Sequence, residues 1–252
     1  IARTPSIRDV LLTGGDPLVF SDRNLDWLLG ALRAIPHVEV IRLGSRLPVV
    51  NPFRITDDLT AVLKRHHPVW LNTHYNHPNE LTLEAAEACG RLAEAGVPVG
   101  NQSVLLRGIN DDPAVMKKLC EGLVAMRVRP YYVYQAQLIG GTAHLRTPIE
   151  DGMHLMKQLR GHTSGFAVPT YVLDTPDGKV PLTRDYVLGR AGDHVVMETT
   201  RGTLWAEPNP LPEGYTPPLE LPQIAMPEGI RTIPTGAATF VPVPEGYAEI
   251  GG

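Results

Sequence analysis

The segment Asp9-Val10-Leu11-Leu12-Thr13-Gly14-Gly15-Asp16 joins a short apolar run to an abrupt polar cluster. The same pattern recurs about every thirty residues, which is the length of one strand, one helix and two short loops. The further runs are 38–43 before Gly44, 69–71 before Asn72, 97–99 before Gly100, 128–133 before Tyr134 and 166–173 before Asp174. This spacing predicts repeated βα units, and helical crossovers between them predict a parallel sheet.

Between these runs, apolar residues recur at three- and four-residue spacing, which indicates amphipathic helices. The helical patterns cover 24–33, 56–65, 82–95, 113–126 and 148–160. A doubly wound sheet has the same local pattern, but we favour an α/β fold with an open, partial parallel β/α barrel over 1–200. Prolines accumulate past Thr203, so we predict a Pro-rich tail over 201–252 that is mostly extended or disordered and has no central strand.

Composition narrows the class of partner. The chain has 252 residues, of which 43% are hydrophobic and 20% charged, with a formal net charge of −4. No basic run indicates a nucleic acid or a membrane surface, so we expect a small-molecule partner. No segment approaches the roughly 18 uninterrupted apolar residues of a membrane span, and the first residues lack a signal-peptide core, so we expect a cytoplasmic protein.

The chain begins at Ile1 and enters a predicted strand within a few residues. We therefore expect an N-terminal segment that is missing here. Its two cysteines, Cys89 and Cys120, lie within amphipathic helical patterns, which favours buried small hydrophobes over disulfide or metal roles. We assign no metal ligand in this chain.

In parallel α/β sheets, side chains at the carboxyl ends of successive strands converge on one mouth, where ligands bind. At the first strand end, the glycines of 13–17 allow close backbone approach to a ligand, and Asp16 can accept hydrogen bonds from an ammonium group. The alternative is a tight βα turn that Asp16 caps.

The third strand end, 72–80, is the densest polar cluster. His74 and His77 could be ligands of a metal-dependent hydrolase, but residues three apart on a strand point to opposite faces. We favour His74 as a hydrogen-bond partner of a bound cofactor. At the next strand end, Asn101 and Gln102 suit a ribose or a base edge, or else they form an amide network that anchors the loop.

The last two strand ends carry aromatic rings and a lysine. Alternation places Tyr132 and Tyr134 on one strand face, and the polar end of Tyr134 suits a cavity wall. Lys179 follows a Pro-Asp-Gly turn, where it is either a Schiff-base amine or an ordinary solvated lysine.

Taken together, these polar segments resemble the lysine 2,3-aminomutase family of radical S-adenosylmethionine enzymes, which also use pyridoxal phosphate. The resemblance covers roughly residues 8 to 190. Its segments are 12–16, 44–46, 48–50, 70–74, 77–80, 100–108, 129–132 and 159–165. The resemblance implies a partial β/α barrel of the radical S-adenosylmethionine type with a Pro-rich C-terminal extension.

The resemblance also assigns residues to S-adenosylmethionine. They are Gly14, Gly15, Asp16, Ser45, Arg46, Asn72, His74 and Gln102. Within this group, 14–16 match the segment that meets the methionyl amino group, and the last three match positions that line the nucleoside.

A second group of residues matches the pyridoxal phosphate and substrate half. Lys179 matches the lysine that binds pyridoxal phosphate covalently. Asp174 matches an acidic residue that holds the distal ammonium of a lysine substrate, a role that suits a carboxylate. Tyr134 and Gln137 match positions in the same pocket.

The implied activity is that of an isomerase, an amino-acid 2,3-aminomutase that most simply converts L-lysine to β-lysine. In the family reaction, a 5′-deoxyadenosyl radical, generated from S-adenosylmethionine at a [4Fe-4S] cluster, removes a hydrogen from Cβ of the amino acid. Nitrogen then migrates from Cα to Cβ while pyridoxal phosphate holds it as an imine. The family implies a reductant such as flavodoxin or ferredoxin, and a homo-oligomer.

Two departures from the family pattern leave alternatives open. The three-cysteine motif that binds the cluster is expected before Ile1, so we expect this chain alone to be inactive. Lysine-specific members carry a second aspartate at Gln137, so the substrate is alternatively another amino acid or a protein-bound lysine. A non-catalytic barrel remnant is the alternative from a different functional class.

Overall fold

The computed structural model describes residues 1–232 and the backbone of 239–243 and 246–250. The chain divides into two compact units. Unit 1 contains 1–103, 116–131 and 164–167, and unit 2 contains 104–115, 132–163 and 168 onwards. Among the described residues, no helix is long and apolar enough to cross a membrane.

Unit 1 is built on parallel strands that follow one another in chain order. They are β1 (Asp9–Leu12), β2 (Val40–Gly44), β3 (Val69–Thr73) and the first parts of β4 (Val99–Leu105) and β5 (Val128–Gln135). Ile41 pairs with Val10 on one side and with Val69 on the other, both in parallel register. The predicted α/β class with successive parallel strands is confirmed.

Helices connect these strands, and the apolar spacing predicts all of them except the short helix Leu47–Val50. They are α1 (Asp22–Arg33), α2 (Leu47–Val50), α3 (Asp57–Arg65), α4 (Leu83–Glu94) and α5 (Pro113–Ala125), the last of which begins in unit 2. The side chains of Ser21, Thr56 and Thr82 each accept a hydrogen bond from a backbone N–H in the first turn of α1, α3 and α4. These N-caps fix where the helices begin, because they satisfy amides that have no partner within the helix.

The core of unit 1 lies between the helices and the strands. Leu25 and Leu29 of α1, Ile41 of β2 and Leu71 of β3 are fully buried. In β4, buried and partly exposed residues alternate along the strand. This alternation decides which β4 side chains reach the core and which remain accessible at the strand end.

Unit 2 contains the second part of β5, helix α6 (Ile149–Leu159), β6 (Thr170–Thr175) and β7 (Gly178–Pro181). Tyr132 of β5 pairs with Thr170 of β6 in parallel register, and β7 returns antiparallel to β6. A four-stranded sheet in the order β11-β10-β9-β8 follows. Its strands are β8 (Val187–Ala191), β9 (His194–Glu198), β10 (Leu204–Pro208) and β11 (Arg231–Thr232). A hairpin of β12 (Thr239–Val243) and β13 (Gly246–Ile250) comes last.

Three local predictions are wrong. β4 continues to Leu105, so Gly100, Asn101 and Gln102 lie within the strand rather than after it. The sixth strand begins at Thr170 rather than near 166, since Gly165–Ala167 forms a 3-10 turn and Pro169 follows it. Proline lacks the N–H that a strand ladder needs, which delays the start of β6. The prediction of no central strand after Thr203 also fails, because β10 lies between β9 and β11.

β10 tolerates its proline because of where that proline stands. Pro208 is the last residue of the strand, opposite His194 of β9, and β11 pairs only with Trp205 and Ala206, so no strand partner needs an N–H from Pro208. Trp205 and Glu207 are buried, which gives the strand a firm anchor. The division into a core at 1–200 and a tail at 201–252 stays a prediction.

Candidate functional site: two cavities at strand ends

Unit 1 carries a polar cavity of about 380 Å³ at the ends of its strands. Of the residues that the resemblance assigns to S-adenosylmethionine, all except Gly14 line it. The lining residues are Thr13, Gly15, Asp16, Gly44, Ser45, Arg46, Asn72, Thr73, His74 and Gln102. Residues far apart in the sequence therefore meet at one cavity because the carboxyl ends of parallel strands lie side by side.

The turn after β1 is shaped by two glycines. Gly14 and Gly15 have φ values of +88° and +66°, in the left-handed region that glycine adopts without strain. A Cβ at either position would meet nothing within 4 Å. The space above this turn is therefore open, and a ligand can approach the backbone closely.

Asp16 fixes this turn against the end of β2. Its Oδ1 accepts a hydrogen bond from the Leu18 amide at 3.0 Å. Its Oδ2 accepts from Ser45 Oγ at 3.0 Å and from the Arg46 amide at 2.7 Å. Asp16 therefore acts as a local cap of the turn, as the structural alternative predicts. Its carboxylate also remains partly accessible in the cavity wall.

His74 stands in the same wall with a neutral imidazole. Burial, and secondarily the positive charge of Arg46, lower the pKa of His74 below its usual value. Asn76 Nδ2 lies 3.0 Å from His74 Nε2, so Nε2 accepts and the ring proton is on Nδ1. A neutral His74 suits hydrogen bonding to an uncharged ligand group.

His77 has a different role from His74. Its Nδ1 accepts a hydrogen bond from the Asn79 amide at 3.2 Å, and Glu80 Oε2 accepts from the His77 amide at 3.0 Å. These two bonds form a capping box at the 3-10 helix Pro78–Glu80. His77 therefore supports the loop, and no group of three potential metal-ligating side chains occurs within the described parts of the chain.

Asn101 and Gln102 separate into two roles. Asn101 is 1% exposed; its Oδ1 accepts from the Tyr75 amide at 2.6 Å, and its Nδ2 donates to Tyr75 O at 3.1 Å and to Ser103 Oγ at 2.8 Å. Gln102, on the opposite face of β4, lines the cavity. Asn101 thus forms the anchoring amide network, and Gln102 is left to contact a ligand.

Gly100 is a residue whose role in the unit 1 pocket the sequence did not indicate. A Cβ at Gly100 would lie 2.9 Å from Asn72 Oδ1. Glycine is therefore needed there for Asn72 to keep its place in the cavity wall. A lone glycine after an apolar run gives no sequence signal for this contact.

Unit 2 carries a second cavity, of about 360 Å³, with largely apolar walls. Three of the residues predicted for the substrate half line it, namely Tyr134, Gln137 and Asp174. The other lining residues are Val104, Leu106, Gln135, Ala136, Ile139, Thr142 and Leu145. Asp174 is the one charged group among these residues.

Lys179 lies beside this second cavity. Asp174 of β6 and Lys179 of β7 are directly opposite in the antiparallel register. Their side chains form an ion pair with Nζ 3.0 Å from Oδ1, and Nζ lies 5.5 Å from the centroid of the Tyr134 ring. The two side chains are 42% and 35% exposed, so a ligand can reach both.

Buried polar contacts fix the floor of the unit 2 cavity. The Tyr171 hydroxyl donates to Gln135 Oε1, and Gln135 Nε2 donates to Thr147 O at 2.9 Å. Arg146 Nε donates to Ala136 O at 2.9 Å and Nη2 to Glu207 Oε1 at 2.6 Å. These contacts hold the side chain of Gln135 and the carbonyl of Ala136. They were not predicted, because Glu207 is 61 residues from Arg146.

The residues present fit two of the three cofactors that the family implies. Unit 1 offers an open glycine turn with polar donors and acceptors, as S-adenosylmethionine requires. Unit 2 offers a primary amine, Lys179, at a cavity with an aromatic wall, as pyridoxal phosphate requires.

A [4Fe-4S] cluster does not fit the described residues. The chain has two cysteines, Cys89 and Cys120, and both are buried within helices. Burial raises the pKa of Cys120 to about 12, which keeps it a thiol rather than a metal-binding thiolate. We assign no reaction step to a cluster at these residues.

Comparisons with known proteins point to one family. Residues 156–223 match the family model described as Lysine-2,3-aminomutase. The chain is 55% identical over 218 residues to the L-lysine 2,3-aminomutase of Fusobacterium nucleatum, covering 86% of this chain and 51% of that protein. It is 53% identical over 219 residues to the L-lysine 2,3-aminomutase of Clostridium subterminale, covering 86% of this chain and 52% of that protein. The chain thus spans about half the length of the curated relatives it matches.

A third relative is named for a different amino acid. The glutamate 2,3-aminomutase of Clostridioides difficile is 49% identical over 204 residues, covering 80% of this chain and 48% of that protein. These relatives share the name of the reaction, 2,3-aminomutase, but differ in the amino acid that they are named for. The family alone therefore does not identify the substrate, and the residues of the pocket must be considered.

Solved structures share the fold at low identity. The crystal structure of Streptococcus suis SuiB bound to S-adenosylmethionine aligns with a TM-score of 0.50 at 11% identity, covering 66% of this chain and 39% of that chain. This likeness confirms the predicted fold class, a partial parallel β/α barrel. Given its identity to the curated relatives over most of its length, the chain belongs to the lysine 2,3-aminomutase family.

Proposed function

We propose that this chain carries the cofactor and substrate pockets of an amino-acid 2,3-aminomutase, an isomerase that most simply converts L-lysine to β-lysine. The observation that carries the proposal is the grouping of Lys179, Asp174 and Tyr134 beside the unit 2 cavity. An amine that binds a cofactor and a carboxylate that binds a cationic side chain are what such a reaction needs at one place.

The unit 1 cavity is the proposed binding site of S-adenosylmethionine. Backbone amides near Gly15 and the partly accessible Asp16 carboxylate suit the amino-acid end of the cofactor. Neutral His74, Asn72 and Gln102 suit its uncharged nucleoside. Ser45 and Arg46 complete the wall, since both are held in place by Asp16.

The unit 2 cavity is the proposed site of pyridoxal phosphate and substrate. Lys179 holds pyridoxal phosphate through Nζ, and the apolar walls exclude water from the reacting carbons. When bound, S-adenosylmethionine supplies a carbon radical and pyridoxal phosphate supplies a carrier for the migrating amino group. This chain's own side chains orient the substrate within the unit 2 cavity.

Asp174 favours a substrate with a cationic side chain. Its carboxylate attracts a distal ammonium and repels a distal carboxylate such as that of glutamate. Gln137 lines the same cavity but is neutral, so a single carboxylate recognises the charge. This arrangement supports lysine over glutamate, and it also accommodates another cationic amino acid or a protein-bound lysine.

The remaining partners follow from the proposed reaction. A radical reaction of this class needs an electron donor, for which flavodoxin and ferredoxin are the proposed candidates. We also propose a cytoplasmic location and self-association of the whole protein. Among the described residues no group of three side chains could hold a metal, so we assign no iron–sulfur ligand to them.

Covalent trapping tests the proposal. The chain is incubated with pyridoxal phosphate and reduced with borohydride, and the modified lysine is then identified by peptide mass spectrometry. We expect the adduct on Lys179, no adduct at this position in Lys179→Ala, and unchanged trapping in the control Lys157→Ala, whose lysine is exposed on α6. Equal modification of all exposed lysines would contradict the assignment.

Product analysis of the full-length protein tests the reaction itself. The reconstituted enzyme is offered a panel of amino acids, and β-amino acid products are separated by chromatography. We expect β-lysine or another cationic β-amino acid as the main product. β-Glutamate as the main product would contradict the role given to Asp174.

A further inference from the structure

The turn between β6 and β7 has only two residues, Pro176 and Asp177, and Lys179 is the second residue of β7. Thr175 pairs with Gly178, which has a φ of +107°. Thr175 Oγ1 donates to Gly178 O at 2.8 Å and accepts from the Asp177 amide at 3.3 Å. Because Lys179 follows Gly178 directly, the conformation of the turn bears on where the lysine lies beside the cavity.

The side chain of Asp177 ties this turn to the four-stranded sheet of unit 2. Its Oδ2 accepts hydrogen bonds from Thr203 Oγ1 and from Arg231 Nη2, and Thr199 Oγ1 lies 3.5 Å away. The donors come from the β9–β10 turn and from β11, and the Asp177 side chain is only 11% exposed. Two short-range donors on one oxygen, one of them a cation, make a directional anchor.

The anchor is itself braced. Thr199 Oγ1 lies 2.7 Å from Thr203 Oγ1, and the Thr199 amide donates to Thr203 O at 2.7 Å. Arg231 Nη2 also donates to Thr203 Oγ1 at 2.9 Å. The hydrogen bonds from Thr203 and Arg231 lower the pKa of Asp177, so the carboxylate stays ionised near neutral pH.

We propose that Asp177 is a positioning residue for Lys179, which it holds at the unit 2 cavity by anchoring the β6–β7 turn to Thr203 and Arg231. The inference rests on the proposed function of Lys179 as the pyridoxal phosphate lysine. Asp177 touches neither the cofactor nor the substrate in this role. It acts by keeping the amine in one place, so that cofactor binding does not have to order the turn.

The test is the concentration of pyridoxal phosphate that gives half-maximal borohydride trapping at Lys179. We expect Asp177→Ala and Arg231→Gln each to raise this concentration about tenfold, as expected for loss of a charge-assisted hydrogen bond that acts entirely on binding. The double variant should be no weaker than the weaker single variant, because both changes remove one anchor. Arg231→Lys, which keeps the positive charge, should retain most of the wild-type affinity for pyridoxal phosphate.

The control is Asp185→Asn, which removes an exposed carboxylate of the same unit outside this cluster. All variants are measured at a temperature at which circular dichroism shows them folded, so a general loss of stability does not change the readout. Arg231 is 48% exposed, so its variants serve as the test if Asp177→Ala does not fold.

Hydrogen exchange gives a second readout without cofactor. We expect the amides of 177–180 to exchange faster in Asp177→Ala than in the wild type, with little change in β10. Wild-type trapping at Lys179 with equal trapping in Asp177→Ala and Arg231→Gln would overturn this inference alone. Absence of wild-type trapping at Lys179 would reject the proposed function and the inference with it.

Discussion

Replacing Asp174 with asparagine should abolish charge recognition in the unit 2 cavity while leaving the fold intact. The carboxylate pairs with Lys179 at 3.0 Å, but the two side chains are 35% and 42% exposed. After screening by solvent, such a pair contributes less than about 1 kcal/mol to stability. Asp174→Asn should therefore change the free energy of unfolding by less than about 1 kcal/mol.

The same substitution should have a larger effect on a bound ammonium group. A hydrogen bond to a charged partner is worth about 1.5–3 kcal/mol. At about 1.4 kcal/mol per decade of affinity, this corresponds to a factor of about ten to one hundred. Because Asp174 is the one charged residue among those that line the cavity, no second carboxylate compensates for the loss.

The assay uses two stable ligands that differ in the distal ammonium. Phosphopyridoxyl-L-lysine and phosphopyridoxyl-L-norleucine are compared by isothermal titration calorimetry on the wild-type chain and on Asp174→Asn. We expect the wild type to prefer the lysine ligand by about ten- to hundredfold and the variant to bind both alike. An unchanged preference in the variant would refute the reasoning, since the ammonium would then be recognised elsewhere.

Three further predictions concern the two units separately. Glu150→Gln leaves its buried arginine partner without a counter-charge and should lower the free energy of unfolding by about 3 kcal/mol or more in denaturant titrations, whereas Glu94→Gln, in an exposed pair, should cost less than about 1 kcal/mol. The pKa of His74 is lower in the folded chain than its unfolded value of about 6.5, so unfolding takes up a proton at any pH between the folded and the unfolded pKa. Stability should fall there as pH decreases, by at most about 1.4 kcal/mol per pH unit, and His74→Gln should remove this slope. Asn101→Ala should destabilise the chain by about 1–3 kcal/mol because it leaves a buried amide unpaired. Gln102→Ala should instead leave stability within about 0.5 kcal/mol and weaken S-adenosylmethionine binding, and the opposite ranking would contradict the roles given to this pair.

The strands and helices were predictable because their signals are local. Apolar runs and three- and four-residue spacing reflect burial on one face of an element, and Ser21 and Thr56 cap helices within one turn of themselves. The errors have local causes as well. Pro169 interrupts an apolar run that otherwise continues from Phe166, so the strand begins later than the run predicts. Pro208 is the last residue of β10, where a proline does not exclude a strand.

The candidate site was predictable where it depends on strand ends and not where it depends on distant contacts. Parallel pairing brings 13–16, 44–46 and 72–74 to one cavity without further information. In contrast, Asp177 and Arg231 are 54 residues apart, and neither belongs to a periodic pattern that indicates the other. A carboxylate in a Pro-Asp-Gly turn looks the same in a sequence whether it is solvated or anchored.

The pairing of Asp174 with Lys179 shows how much depends on one turn. The two residues are five apart, and on a single continuous strand an odd separation would place their side chains on opposite faces. The two-residue turn at 176–177 instead sets Thr175 against Gly178 and Asp174 against Lys179, where opposed side chains share a face. One inserted residue would shift this register and turn Lys179 away from Asp174, because strand side chains alternate with a period of two. The length of the β6–β7 turn, rather than the presence of an aspartate and a lysine, therefore places the amine at the cavity.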